Sequence, residues 1–156
     1  MAAPLDPHHR VVASNRKALH EFHVLDTLDV GIGLVGTEVK SIRGGQISIR
    51  EAYVRAKKGE LWLVGAHIPE YAFGNKQNHE PTRDRKLLAN AREIRKLEKR
   101  LVEKGLTLVP LEIYFRGSRV KVKIALCKGK KMHDKRDHKK KQDAQRQIDR
   151  ALMRRR

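Results

Sequence analysis

The run LTLVPLEIYFRGSRVKVKIALC, residues 106–127, constrains the fold more than any other part of the chain. Leu111, Ile113 and Phe115 alternate along its first half, and Val120, Val122, Ile124 and Leu126 along its second, with Lys121 and Lys123 on the opposite face. Period-two alternation sends successive side chains to opposite faces of a strand, so the run reads as two half-buried strands around Arg116-Gly117-Ser118. Such a hairpin needs further strands to share its apolar face. The stretch from His20 to Val35 supplies one: it alternates at first, then turns apolar with Gly31 and Gly33 inserted, the pattern of a strand with a bend. ISIREAYVRA and LWLVGAHI, joined at Lys57-Lys58-Gly59-Glu60, supply a second hairpin, with Ile47, Ile49 and Tyr53 at strand spacing and Trp62 covering one face.

Helical signals fall between these strands. GTEVKSIRGG, residues 36–45, has room for a helix of two turns or fewer, with Thr37 as a cap, Val39 and Ile42 inward, and Glu38, Lys40 and Arg43 turned toward a partner. Its plainer reading is a solvated connector with a capping acid. Residues 69–83 read as a long loop, and Thr82 can start a short turn through Asp84 to Leu88. Asn90-Ala91-Arg92-Glu93 reads as the capping box of a helix whose Ile94, Leu97, Leu101 and Val102 face inward, closed by Gly105. The mixed charges on its other face look like ordinary solvation. The result is a mainly β fold of about five or six mostly antiparallel strands with inserted helices, which fits a small OB-type β-barrel.

Length and charge set the remaining bounds. A chain of 156 residues holds one core with tails: a flexible leader over 1–13, the barrel over 14–127 and a basic tail over 128–156. Just past the leader, Ser14 to Ala18 suits a helical turn presenting Arg16 and Lys17 to phosphates. The formal net charge is +18, a field that attracts polyanions. Thirteen Lys or Arg against four Asp put a net +9 of it in the tail. With few apolar residues the tail is expected to be disordered when free, and Ile148, Leu152 and Met153 give it one apolar side when it becomes helical on an anionic surface. No apolar run approaches the ~20 residues that span a bilayer, and MAAPLDPHHR has no signal-peptide core, so a cytoplasmic protein without a membrane partner is expected. A single cysteine, Cys127, forms neither an internal disulfide nor a cysteine metal cage and reads as a small buried side chain. No cofactor or metal is expected.

Several words of the sequence resemble one family. Asn15-Arg16-Lys17-Ala18, GIGLVGTEVKSIRGG, Pro81-Thr82-Arg83, Arg85-Lys86-Leu87-Leu88, GLTLVPLEIYF, Val120-Lys121-Val122-Lys123 and Gly129-Lys130-Lys131-Met132-His133-Asp134-Lys135-Arg136 together resemble the SsrA-binding protein (small protein B) family over nearly the whole chain. The resemblance implies an OB barrel that binds the tRNA-like domain of tmRNA (SsrA RNA). It also implies delivery of that RNA to stalled bacterial ribosomes for trans-translation, without catalysis and as a monomer, the tail occupying the empty mRNA channel near the decoding centre. It carries RNA binding to Asn15, Arg16, Asp29, Glu38, Lys40, Lys86, Leu88, Lys121, Lys123 and Lys128, and the local pattern adds Lys17 and Arg43 to the same set. Ribosome binding falls on Lys130, Lys131, His133, Asp134, Lys135, Arg136, Leu152 and Met153. Carboxylates on such a face would accept from base amino or imino groups or orient a neighbouring cation. The chain departs from the family pattern at Asp29, where Glu is usual, at Ala89, where a third leucine is common, and at Ala144, in place of a tail aromatic.

Two other classes compete. A nuclease or metal enzyme would use His133, Asp134, Asp137 and His138, but the flanking lysines oppose a divalent ion. A constitutive ribosomal protein would share the barrel and basic tail; copurification with one small stable RNA separates the two.

Overall fold

The computed structural model describes residues 9–74, 78–103 and 105–154, the side chains of 132–134 excepted. The alternating run forms the hairpin its pattern predicts: β6 (Leu106–Arg116) and β7 (Arg119–Gly129) pair antiparallel from Leu106–Lys128 to Arg116–Arg119. β2 (Phe22–Ile32) lies along the other edge of β7, from Phe22–Gly129 to Gly31–Lys121, with a bulge between Val24 and Asp26. The second hairpin is shorter than its sequence suggests. β3 (Tyr53–Lys57) and β4 (Glu60–Val64) meet at Lys58 and Gly59, whose φ values of 51° and 75° suit the two positive-φ positions of a type I′ turn. Before β3, only Ser48 bridges to His67, although Ile49 is still buried.

Two strands lie where the sequence pattern predicts none. Residues 82–88, read as a helical turn, instead contain β5 (Arg85–Leu88), with Arg85 and Leu87 inward and Lys86 and Leu88 outward, linking β4 to β2. The leader, read as flexible through residue 13, is ordered from His9 as β1 (His9–Ser14), which pairs with residues 112–116 of β6 and packs Val12 and Ala13 against the core. Residues 1–8 of that leader lie outside the described residues.

The strands run β1-β6-β3-β4-β5-β2-β7, and pairing of β6 with β7 closes six of them into an uneven antiparallel ring. The β2, β7 and β6 wall is continuous, whereas β3 meets β6 only at Val54–Leu108. Inside lie Val30, Val54, Leu61, Leu63, Leu87, Leu108, Ile113, Val122, Ile124 and Leu126, each worth about 1.5–3 kcal/mol of burial.

Three short helices decorate the ring: α1 (Arg16–Glu21), α2 (Gly36–Arg43) and α3 (Ala91–Leu101). α3 buries Ile94 and Leu97 and lies against β3 and β6, across the narrow seam. Its capping box does not form: the Asn90 side chain makes no cap bond, and the helix ends at Val102, not Gly105. A long fourth helix, α4 (Met132–Arg154), follows β7.

Candidate nucleic-acid interface

The 36–45 turn folds as a helix, but its acid faces the wrong way for a surface contact. Glu38 is fully buried. Its Oε1 accepts from the Val35 backbone N–H at 3.0 Å and from Arg83, and its Oε2 accepts from Arg85. Arg85 is itself fully buried and donates onward to the carbonyls of Ala66 at 2.9 Å and Pro81 at 3.0 Å. Burial alone would raise the Glu38 carboxyl, yet the bonds from Arg83, Val35 and Arg85 outweigh it and hold the carboxyl below its ordinary value. This corrects the outward orientation expected of Glu38: it is an internal clamp joining α2, β5 and the 66–81 segment. Thr37 does not cap the helix; its hydroxyl meets His79 Nδ1 at 2.9 Å.

Asn15 is likewise internal. Its amide donates to the carbonyls of Pro110 at 3.0 Å and Ile49 at 3.3 Å, and its Oδ1 accepts from Ala18 N at 3.1 Å, capping α1. The side chain is buried, with its polar atoms committed to the fold. Lys17 pairs with Glu51 at 2.9 Å, and Arg16 is exposed beside it.

The outer face of the β5, β2, β7, β6 and β1 wall gathers most of the other residues expected to bind RNA. Strand register sets Leu88, Gly31, Lys121, Tyr114 and Val11 in one row across five strands, and Asp29, Lys123 and Glu112 in the next. Gly31 leaves room for Leu88, since a Cβ there would lie 3.3 Å from Leu88 Cβ. Leu88 stays 55% exposed, an apolar side chain offered to solvent. Beside it is a groove of about 490 Å³ lined by Ile32, Leu34, Val39, Arg119, Val120 and Lys121, and a shallower hollow that joins Leu88 and Lys121 to Asp29. Asp29 is fixed by the Tyr114 hydroxyl, which donates to its Oδ1 at 2.8 Å, while His9 stacks on the Tyr114 ring at 4.2 Å. Burial and then this carboxylate push the Tyr114 phenol up to about 12. Lys123 faces Glu112 at 4.0 Å, and Lys86 pairs with Glu60 at 3.2 Å beside the half-buried Trp62.

Elsewhere, Lys40 lies 5.4 Å from the Tyr71 ring centroid, and the guanidinium of Arg43 lies 6.0 Å from that of Phe115. Cys127 is buried, its thiol pushed up to about 11 by that burial. Lys128 is exposed where β7 ends, and Lys130 ties the start of the tail to α1, donating Nζ to Leu19 O at 3.1 Å and its backbone N–H to Glu21 O at 2.8 Å. His138 on α4 tilts against His20 at 5.4 Å; burial, then the nearby Lys130 and His20, lower its pKa. Lys131 and Arg136 are exposed, Lys135 is half-buried, and Ile148, Leu152 and Met153 are exposed along α4. The side chains of His133 and Asp134 lie outside the described residues. Among the described residues no cluster of three His, Cys, Asp or Glu could hold a metal, and no helix is long and apolar enough to cross a membrane.

A family model described as SmpB protein matches residues 12–154. An SsrA-binding protein of Carboxydothermus hydrogenoformans is 51% identical over 143 residues, covering 92% of this chain and 96% of the relative. Another, of Mycolicibacterium vanbaalenii, is 51% identical over 150 residues, covering 96% and 91%. Among solved structures, a chain from "tmRNA-SmpB: a journey to the center of the bacterial ribosome" is 43% identical, with a TM-score of 0.65 over 77% of this chain and 85% of that one.

Proposed function

The chain belongs to the SmpB protein family, and on that premise we propose that it binds the tRNA-like domain of tmRNA and delivers it to stalled bacterial ribosomes for trans-translation. It acts by binding, without catalysis or cofactor, in the cytoplasm and as a monomer. One observation on this chain's own residues carries the reading: Asp29, Leu88 and Lys121 meet on one outer patch. An ammonium there attracts phosphate, an exposed leucine offers an apolar seat for an unstacked base, and a carboxylate repels generic phosphate while accepting from base amino groups. The combination favours a folded RNA of particular shape over polyanion in general. Arg16, Lys40, Lys86, Lys123 and Lys128 add charge around it.

The tail has a separate task. Lys130, Lys131, His133, Asp134, Lys135 and Arg136 and the exposed Leu152 and Met153 engage the ribosome, the tail being disordered in the free protein and helical, as in α4, within the empty mRNA channel.

A titration tests the RNA assignment. Affinity for the tRNA-like domain and for a generic tRNA, measured at two ionic strengths, should fall with salt for both while the preference for the tRNA-like domain persists. Equal affinities at both ionic strengths would overturn it.

A further inference from the structure

Phe115 carries a charge arrangement that the Asp29, Leu88 and Lys121 patch does not use. Its ring is nearly buried, yet two guanidinium groups stand around it, that of Arg10 at 5.4 Å from the centroid and that of Arg43 at 6.0 Å. Arg10 comes from β1, where it pairs with Phe115 across the sheet, and Arg43 from the last turn of α2. Arg10 Nη2 also donates to the Arg43 carbonyl at 2.8 Å, fixing the two residues to each other. Among the described residues neither guanidinium has a carboxylate partner. The contrast with other cations of the barrel is plain: Arg55 faces Asp84, Lys86 faces Glu60, Lys123 faces Glu112, and both Arg83 and Arg85 face Glu38.

Ring contact holds a guanidinium in place but leaves its charge standing. Two such exposed cations held about one ring, and tied to each other through the Arg10–Arg43 hydrogen bond, are a pre-oriented seat for phosphate, whose oxygens match the planar fork of a guanidinium. The location continues the groove. Val39, one helical turn before Arg43, lines it, and so do Arg119 and Val120, the latter paired across the sheet with Phe115. Val39 and Val120 thus set one end of the groove next to Arg43 and Phe115.

We propose that Arg10 and Arg43, held around Phe115, form a two-guanidinium clamp on the phosphate backbone of the RNA that occupies the Leu88–Lys121 groove. The clamp rests on the proposed binding of tmRNA and extends it to a second anchoring point. It grips backbone, so it adds affinity and salt sensitivity without adding discrimination.

The test uses the full-length protein, the isolated tRNA-like domain of tmRNA and a generic tRNA over a salt series. The Arg10→Gln/Arg43→Gln variant should lose about tenfold in affinity at low salt, and its slope of log affinity against log salt should be shallower by about 1 to 2, with preference between the two RNAs unchanged. Arg10→Lys/Arg43→Lys keeps the charge and should keep most of the slope. A thermal unfolding curve accompanies each variant. If the double Gln variant does not fold, Arg10→Gln alone carries the test, with a slope change of about 0.7 to 0.9. An unchanged slope in a folded Gln variant overturns the clamp. A wild-type protein with no preference for the tRNA-like domain overturns the proposed function instead, and the slope difference on the generic tRNA still decides the clamp.

Discussion

At Glu38 one carboxylate satisfies two guanidinium groups and a backbone N–H while being fully buried. Glu38→Gln leaves Arg85 buried without its counter-charge, so unfolding free energy should fall by about 3–5 kcal/mol, read from urea titration. The pH dependence has a definite sign. A carboxyl held below its ordinary 4.5 in the folded chain contributes stability that is complete above that pH and is lost as pH falls through the folded value. The gap between wild type and Glu38→Gln should therefore narrow in acid below about pH 4.5; a constant gap would show that the ion pair is not its source. RNA affinity should fall in Glu38→Gln only as far as α2 and β5 shift, since the acid itself touches no solvent. Tyr114→Phe is the milder change. It removes the donor that orients Asp29 at 2.8 Å, should cost about 1 kcal/mol of stability, and should abolish the tyrosinate transition at about pH 12 in an ultraviolet titration.

Among the elements, those with an unbroken local period were legible and those completed by distant partners were not. β6, β7 and β2 announce themselves by alternation, and the β3–β4 turn by Lys58-Gly59. β5 was hidden because Arg85 occupies an inward strand position, and an arginine reads as inward only when its acid, Glu38, is known to be 47 residues away. β1 was hidden because it is an edge strand, half-exposed and dependent on β6 for its pairing. The same limit applies to the interface: Asp29, Leu88 and Lys121 were named from family resemblance, but only strand register brings them together, and nothing local marks Asn15 and Glu38 as interior. The β3–β4 turn offers an element-scale prediction. Lys58 holds φ of 51°, a conformation that Asn tolerates better. Lys58→Asn should stabilise the protein by about 0.5–1 kcal/mol, raising the thermal midpoint by a few degrees, with RNA affinity unchanged.

Over the whole molecule, the barrel and the tail about equally divide the excess charge, with a net +9 of +18 beyond Cys127, and the proposed division of work follows the same boundary. A chain ending at Lys131 keeps every strand, the Glu38 clamp and the Lys130 contacts to α1. Its preference for the tRNA-like domain should survive, its affinity dropping only by the nonspecific share, while peptide tagging on truncated-message ribosomes should be lost. Full-rate tagging, or complete loss of RNA binding, would refute this separation. The ring itself is clasped at the single pair Val54–Leu108, opposite a wall of fully paired strands. Mechanically that makes it a C-shaped spring with a catch. Deformation is expected to concentrate at the catch, which α3 spans, while the β2, β7 and β6 wall bearing Lys121 should stay rigid when a large RNA leans on it. Amide exchange at Val54 and Leu108 should accordingly report openings far cheaper than global unfolding, the seam yielding at the molecule's back while the proposed RNA face opposite it holds its shape.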